Sequence, residues 1–130
     1  MRLLDTDICI HLLNARESEL IERFQAHSPL ELAICSVVRA ELLWGARNSR
    51  RVEENLKRVR LFCEPLRSLA FDDDCAERYG SIRAELAAIG QPIGPNDTLI
   101  AAIAVNHQAT LVTRNQREFQ RVGNLAIEVW

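Results

Sequence analysis

Four oxygen-bearing side chains stand where a folded chain would bring them to one place. Asp5 ends the apolar run RLL, Glu41 interrupts the apolar stretch VVRAELLWGA, Asp97 follows the stiff loop QPIGPN, and Asn115 follows the apolar run LVT. Each has an ordinary explanation on its own. Asp5 suits a helix cap, and Asp97 a first-turn carboxylate favoured by the helix dipole. Asn115 suits a turn or cap. Glu41 is harder to dismiss, because it lies between Ala40 and Leu42 and a glutamate facing inward needs a partner or a metal to offset its desolvation. Together they describe a cluster of carboxylates that repel one another. A divalent cation removes that repulsion, and magnesium prefers hard oxygen ligands while keeping several waters. Such an ion can activate a water as nucleophile and stabilise the leaving oxygen of a phosphodiester.

The elements that must position these groups alternate between strand and helix. Arg2 to Leu4 reads as a buried strand, and Ile8 to Asn14 and Glu17 to Ala26 as helices, the second broken by Ser28-Pro29. Leu32 to Cys35 reads as the second strand. Ser36 stands in an N-cap position for a helix over Val37 to Arg47 with Val38, Leu42 and Gly45 on one face. Arg50 to Cys63 is amphipathic, its inner line Val52, Leu56, Val59 and Phe62 or Cys63. Arg67 to Phe71 predicts a third strand. Asp72 caps a helix over Asp73 to Ile89 whose inner line is Ala76, Tyr79, Ile82, Leu86 and Ile89, with Gly90 at its end. Asp97 opens TLIAAIAVNHQ, which is apolar nearly all round and predicts a central helix. Thr110 to Thr113 and Ala126 to Trp130 read as strands, and Asn115 to Phe119 as a short helix. This alternation predicts an α/β fold with a mainly parallel sheet. Sites in such sheets gather beyond the carboxyl ends of the strands, where Asp5 and Asn115 fall directly.

Composition narrows the class. A length of 130 residues predicts one domain over 1–130, and 48% apolar with 26% charged residues is a globular mix. The formal net charge of −2 neither requires nor excludes nucleic acid. Between Ser36 and Arg60 seven basic residues face Glu41, Glu53 and Glu54, whereas six carboxylates between Asp72 and Asp97 face only Arg78 and Arg83. That asymmetry fits a basic groove beside an acidic pocket, and equally two solvated helix faces. Cys9, Cys35, Cys63 and Cys75 form no C-x-x-C pair and predict buried thiols of a reducing, cytoplasmic compartment. No run approaches the roughly twenty apolar residues of a membrane span, and the charged start MRLLDTDICI is not a signal peptide.

The segments LLDTDICIHLL, SVVRAELLWGA, IRAELAAIGQPIGPNDTLIAAIA, LVTRNQREFQRV and the terminal IEVW stand in the order found in one family. The chain resembles the PIN-domain ribonucleases, and among them the VapC toxins of bacterial toxin–antitoxin pairs, over nearly its whole length. The resemblance implies a PIN-like three-layer fold with a mainly parallel central sheet flanked by helices. It places the family's first aspartate, in LDT, on Asp5, its glutamate, in A-E-L, on Glu41, and its third acid, in G-P-N-D, on Asp97. The fourth acidic position falls on Asn115, whose amide brings no charge and weakens the case for a second tightly held metal. It further implies a magnesium-dependent endoribonuclease, with Mn²⁺ as substitute, in which Asp5, Glu41 and Asp97 hold the metal. Asn115 would orient water or a weaker second ion. The implied substrate is structured RNA, above all transfer RNA including the initiator, whose cleavage inhibits translation. A VapB-like antitoxin would neutralise the toxin, with an arginine near the carboxylates, and the chain would form a homodimer. Asp7 would be a supporting hydrogen-bonding residue. Arg39, Arg114 and Arg117 lie near the motifs and suit phosphate contacts or ordinary surface charge.

Two other readings compete. Asp5-Thr6-Asp7 has the D-x-D spacing of haloacid-dehalogenase-type phosphatases, but Lys57 is the only lysine and little length remains for a cap domain. A binding module with a degraded site would also explain Asn115. The retained acids favour catalysis.

Overall fold

β1 (Arg2–Leu4) is the centre of a five-stranded sheet in the computed structural model, which describes residues 1–130. With β2 (Leu32–Cys35), β3 (Arg67–Leu69), β4 (Thr110–Val112) and β5 (Ile127–Glu128) it forms the order β3-β2-β1-β4-β5, every pair parallel. The inner strands are short and apolar because both faces are covered; all four residues of β2 are buried. β3 and β5 stop short of the Arg67–Phe71 and Ala126–Trp130 spans that sequence predicts. Both are edge strands with a ladder on one side only.

Seven helices cover the sheet: α1 (Thr6–Asn14), α2 (Ser18–Gln25), α3 (Ser36–Arg47), α4 (Val52–Cys63), α5 (Asp73–Ala88), α6 (Pro95–Asn106) and α7 (Gln116–Phe119). From β1 the chain steps outward to β2 and then β3, carrying α1 to α4. It then crosses back over the sheet to β4 and on to β5, carrying α5 to α7. The helices pack accordingly: α1 lies against α2, α3 and α4, while α5 lies along α6, which also meets α3. The direction reverses between β1 and β4, which makes the carboxyl ends of those two strands the switch point where ligands bind in open parallel sheets.

The core is one apolar cluster of 31 residues. α6 runs through it, with Thr98 and Ile100 to Ala104 buried. Its three buried alanines, Ala101, Ala102 and Ala104, let neighbouring backbone approach closely, and α5 packs along it. Cys9, Cys35, Cys63 and Cys75 are unpaired and 0% exposed. Burial pushes the Cys35 thiol up to about 11 and raises the other three.

Several helix details differ from the sequence reading. Cys35, not Ser36, caps α3; Ser36 is its first residue and its hydroxyl donates to the Leu69 carbonyl at 3.4 Å. Ala46 is buried and Gly45 is exposed, so the inner face of α3 is turned by one position from the sequence expectation. In α5 the inner line begins at Cys75, not Ala76, and Ile89 lies past the helix end, 62% exposed. α6 begins at Pro95, a residue suited to a first helical position because its missing N–H needs no partner there. Asp97 is thus the third residue of the helix and not its opening one.

Candidate active site

The chain leaves β1 through Asp5, whose backbone N–H extends the ladder to the Val112 carbonyl at 2.9 Å. The side chain is 5% exposed and held at both oxygens. Oδ1 accepts from the Thr6 N–H at 2.8 Å and Oδ2 from the Thr113 hydroxyl at 2.7 Å. Asp5 therefore caps α1 and is also a buried acid at the switch point; the two roles coexist. Burial pushes its carboxyl up to about 6, with the Thr113 and Thr6 hydrogen bonds opposing and the charges of Asp7 and Glu41 adding.

Thr6 links two of the acids. While its N–H serves Asp5, its hydroxyl donates to Glu41 Oε1 at 2.7 Å, across from α1 to α3. Glu41 is half-buried, so the inward-facing glutamate of the sequence has a hydroxyl partner. On the other side of the switch point Asp97 projects from the first turn of α6. Its carboxyl is pushed up to about 7, first by burial, then by the negative charges of Asp5, Glu118 and Glu41. Asn115 follows β4, and its Nδ2 donates to Asp97 Oδ2 and to Glu118 Oε2, both at 3.3 Å. The structure thus brings Asp5, Glu41, Asp97 and Asn115 to one end of the sheet, and the amide of Asn115 turns its NH₂ towards carboxylates.

Three residues in this arrangement escaped sequence reasoning. Glu118 joins the acids one helical turn after Asn115; the spacing N-x-x-E was its signal, since residues three apart share a helix face. Thr6 and Thr113 orient carboxylates through hydroxyls. Thr113 is fully buried directly after β4, where a polar side chain at a strand end was the available clue.

Asp7 accepts from the Ile8 N–H at 2.7 Å and from the Arg114 N–H at 3.3 Å. The Arg114 side chain is not free for a phosphate. Its two terminal nitrogens donate to the Glu17 carboxylate at 2.9 and 3.1 Å, and its Nε to the Trp130 carbonyl at 3.0 Å. Arg39 lies in a shallow basic hollow with Lys57 and Arg60, and Arg117 is exposed. Next to Glu41 a cleft of about 270 Å³ opens among α1, α3 and α4, its apolar wall made by Ile10, Leu13, Leu42 and Val59, with Arg58 at its side.

None of Asp5, Glu41, Asp97 and Glu118 forms an ion pair with an arginine, lysine or histidine. Uncompensated acids that raise one another's affinity for protons fit a divalent cation. No three Asp, Glu, His or Cys side chains stand close enough together to form a metal-ligand set by themselves.

The PIN domain family matches residues 2–125. The tRNA(fMet)-specific endonuclease VapC of Shigella flexneri is 40% identical over 128 residues, covering 98% of this chain and 96% of the relative. Ribonuclease VapC2 of Rickettsia felis is 37% identical over 129 residues with the same coverage. Two solved structures superpose closely. The VapBC2 complex from Rickettsia felis, bound to a DNA fragment from its promoter, gives a TM-score of 0.93 at 36% identity, covering 99% of this chain and 98% of the other. DNA-bound VapBC from Salmonella typhimurium gives 0.94 at 38%, covering 99% and 97%.

Proposed function

Since the chain belongs to the PIN-domain family, in its VapC toxin branch, we propose that it is a magnesium-dependent endoribonuclease cutting transfer RNA, the initiator included. The observation that carries this reading is the group of acids at the β1/β4 switch point that no cation of the chain neutralises. Asp5, Glu41 and Asp97 would hold Mg²⁺, or Mn²⁺ in its place, with Glu118 and Asn115 beside them. When bound, such an ion stabilises charge on a phosphodiester in the transition state and makes water a better nucleophile. The chain's own contribution is orientation. Thr113 and Thr6 fix Asp5, Thr6 also fixes Glu41, and Asn115 Nδ2 fixes Asp97 Oδ2. The Asp97 carboxyl, pushed up to about 7 first by burial and then by its acidic neighbours, is the group whose charge a bound cation would compensate most.

The relatives' complexes support a VapB-like antitoxin as partner. Its segment would lie in the apolar cleft whose wall includes Glu41. A single nuclease domain over 1–130, a homodimer and a cytoplasmic place complete the reading. Four unpaired thiols support the reducing compartment, and no helix is long and apolar enough to cross a membrane.

The direct test is incubation of total transfer RNA with the folded, antitoxin-free protein in Mg²⁺, in EDTA, and with Asp5→Ala. A discrete product that needs the metal and disappears in the variant is the expected result. Transfer RNA left intact in all three would overturn the substrate assignment. Thr113→Val probes orientation separately. It removes the donor to Asp5 Oδ2 and the acceptor of the Asn115 N–H while keeping the volume. Loss of such an outer partner costs about 10- to 100-fold in activity. Cleavage rates within twofold of wild type would show that the hydroxyl does not matter.

A further inference from the structure

Arg114 lies between the two residues that orient Asp5 and Asp97, yet its guanidinium points away from both. Thr113, Arg114 and Asn115 belong to no regular element, and each reaches a different acid. The Thr113 hydroxyl donates to Asp5, the Arg114 N–H to Asp7, and the Asn115 amide to Asp97. The Arg114 side chain ties this segment to two distant parts of the fold. Both terminal nitrogens hold Glu17, the cap residue of α2, and Nε holds the carbonyl of Trp130, beyond β5. A planar fork against a carboxylate is the geometry arginine makes best. Glu17 also meets His11 Nδ1 at 3.0 Å, which anchors it to α1. Trp130 is itself fixed. Its indole N–H donates to Glu128 at 2.9 Å, and its ring stacks on His27 with Arg23 over it.

Electrostatics makes this arrangement more than a brace. The segment's backbone touches Asp7, two residues from Asp5, and the charge of Asp7 already bears on Arg114, so a guanidinium released from Glu17 has the acidic end of the sheet beside it. A long flexible cation there would neutralise the acids in competition with a metal. On the nuclease reading above, we infer that Glu17 is a positioning residue that sequesters Arg114 from the acidic site and uses it to fix the 113–115 segment. Removing the carboxylate then does more harm than removing the arginine, because it releases a competitor. A purely structural ion pair predicts the opposite or no order, since loss of either partner breaks the same contact.

The test compares wild type, Glu17→Gln, Arg114→Gln and the double variant. Mn²⁺ affinity is measured by electron paramagnetic resonance without RNA, and kcat and KM are measured on transfer RNA. Glu17→Gln is expected to weaken Mn²⁺ binding about tenfold and to lower kcat with KM unchanged. Arg114→Gln is expected to keep Mn²⁺ affinity within about twofold and to lower kcat by less. Adding Arg114→Gln to Glu17→Gln should restore Mn²⁺ affinity to that of Arg114→Gln alone. The pair is partly exposed, with side chains 32% and 40% accessible, so all four proteins should melt within about 3 °C of one another. Wild-type Mn²⁺ affinity in Glu17→Gln, or a double variant no better than that single one, would overturn the inference. Wild-type binding and cleavage report separately on the nuclease reading, and the order of the variants reports on the sequestration.

Discussion

Asp97→Asn is expected to lower RNA cleavage by roughly three orders of magnitude or more, because groups acting as one unit lose most of their effect when one is removed. The same substitution is expected to raise stability at pH 8 in the absence of divalent ions. Asparagine has the shape of aspartate but none of its charge, and that charge faces Asp5, Glu41 and Glu118 without a cation of the chain nearby. A carboxyl held at about 7 in the folded protein and 3.8 outside it costs stability whenever it is ionised. Discounting for partial exposure, the gain is about 2 kcal/mol, or a melting temperature higher on the order of 5 °C. The variant would be at once more stable and inactive, which separates a site residue from a structural one. Cleavage assays and thermal melts in EDTA at pH 8 read both effects. An active variant, or an inactive one that melts lower, counts against this role for Asp97.

Metal-free protein should lose stability as pH rises from about 4 to about 7, and magnesium should largely abolish that loss. Asp5 and Asp97 both have folded values raised above 3.8, to about 6 and about 7. Between those limits the folded chain binds more protons than the unfolded one, so stability falls with increasing pH. Above about 7 the loss from these two groups is complete. For Asp5, which is almost fully buried, it amounts to about 3 kcal/mol. Glu17, Asp72 and Glu128 act in the opposite sense, since partners hold them below the usual carboxylate range. Arg114 is the main cause for Glu17, the Cys75 N–H for Asp72 and Trp130 for Glu128. Their contribution is present above about 4 and is lost only in stronger acid. The metal-free optimum should therefore lie near pH 4–5. Melting curves from pH 4 to 8, in EDTA and in excess Mg²⁺, measure this. A melting temperature in EDTA that is flat or rises from pH 5 to 8 would contradict the acid cluster.

Three of the site's four acids were legible because a charge in an apolar context is conspicuous; Glu118, on the short helix after Asn115, was not. Asp5 stops a strand, Glu41 interrupts a helix face, and Asp97 follows a loop too stiff to be a tether. The sheet was legible from alternation. The hydroxyls of Thr6 and Thr113 were not, since a threonine beside a strand carries no signal until the partner carboxylate is placed, 35 residues away for Thr6 and 108 for Thr113. The fork of Arg114 on Glu17 spans 97 residues and was invisible for the same reason. Periodicity gives the helix stripes but not their phase: Ala46 lies inward and not Gly45, and Cys75 and not Ala76. Hydrophobic spacing fixes a face to within about one position, and tertiary packing chooses among neighbours.

The burial of every thiol has a practical consequence. Cys9, Cys35, Cys63 and Cys75 are fully enclosed and their thiols are pushed up, so few thiolates form at neutral pH and none faces a reagent in solution. The native chain is a blank background for thiol chemistry. A single cysteine introduced on the rim of the cleft beside Glu41 would accept a spin label or fluorophore alone, without prior replacement of the four natural ones.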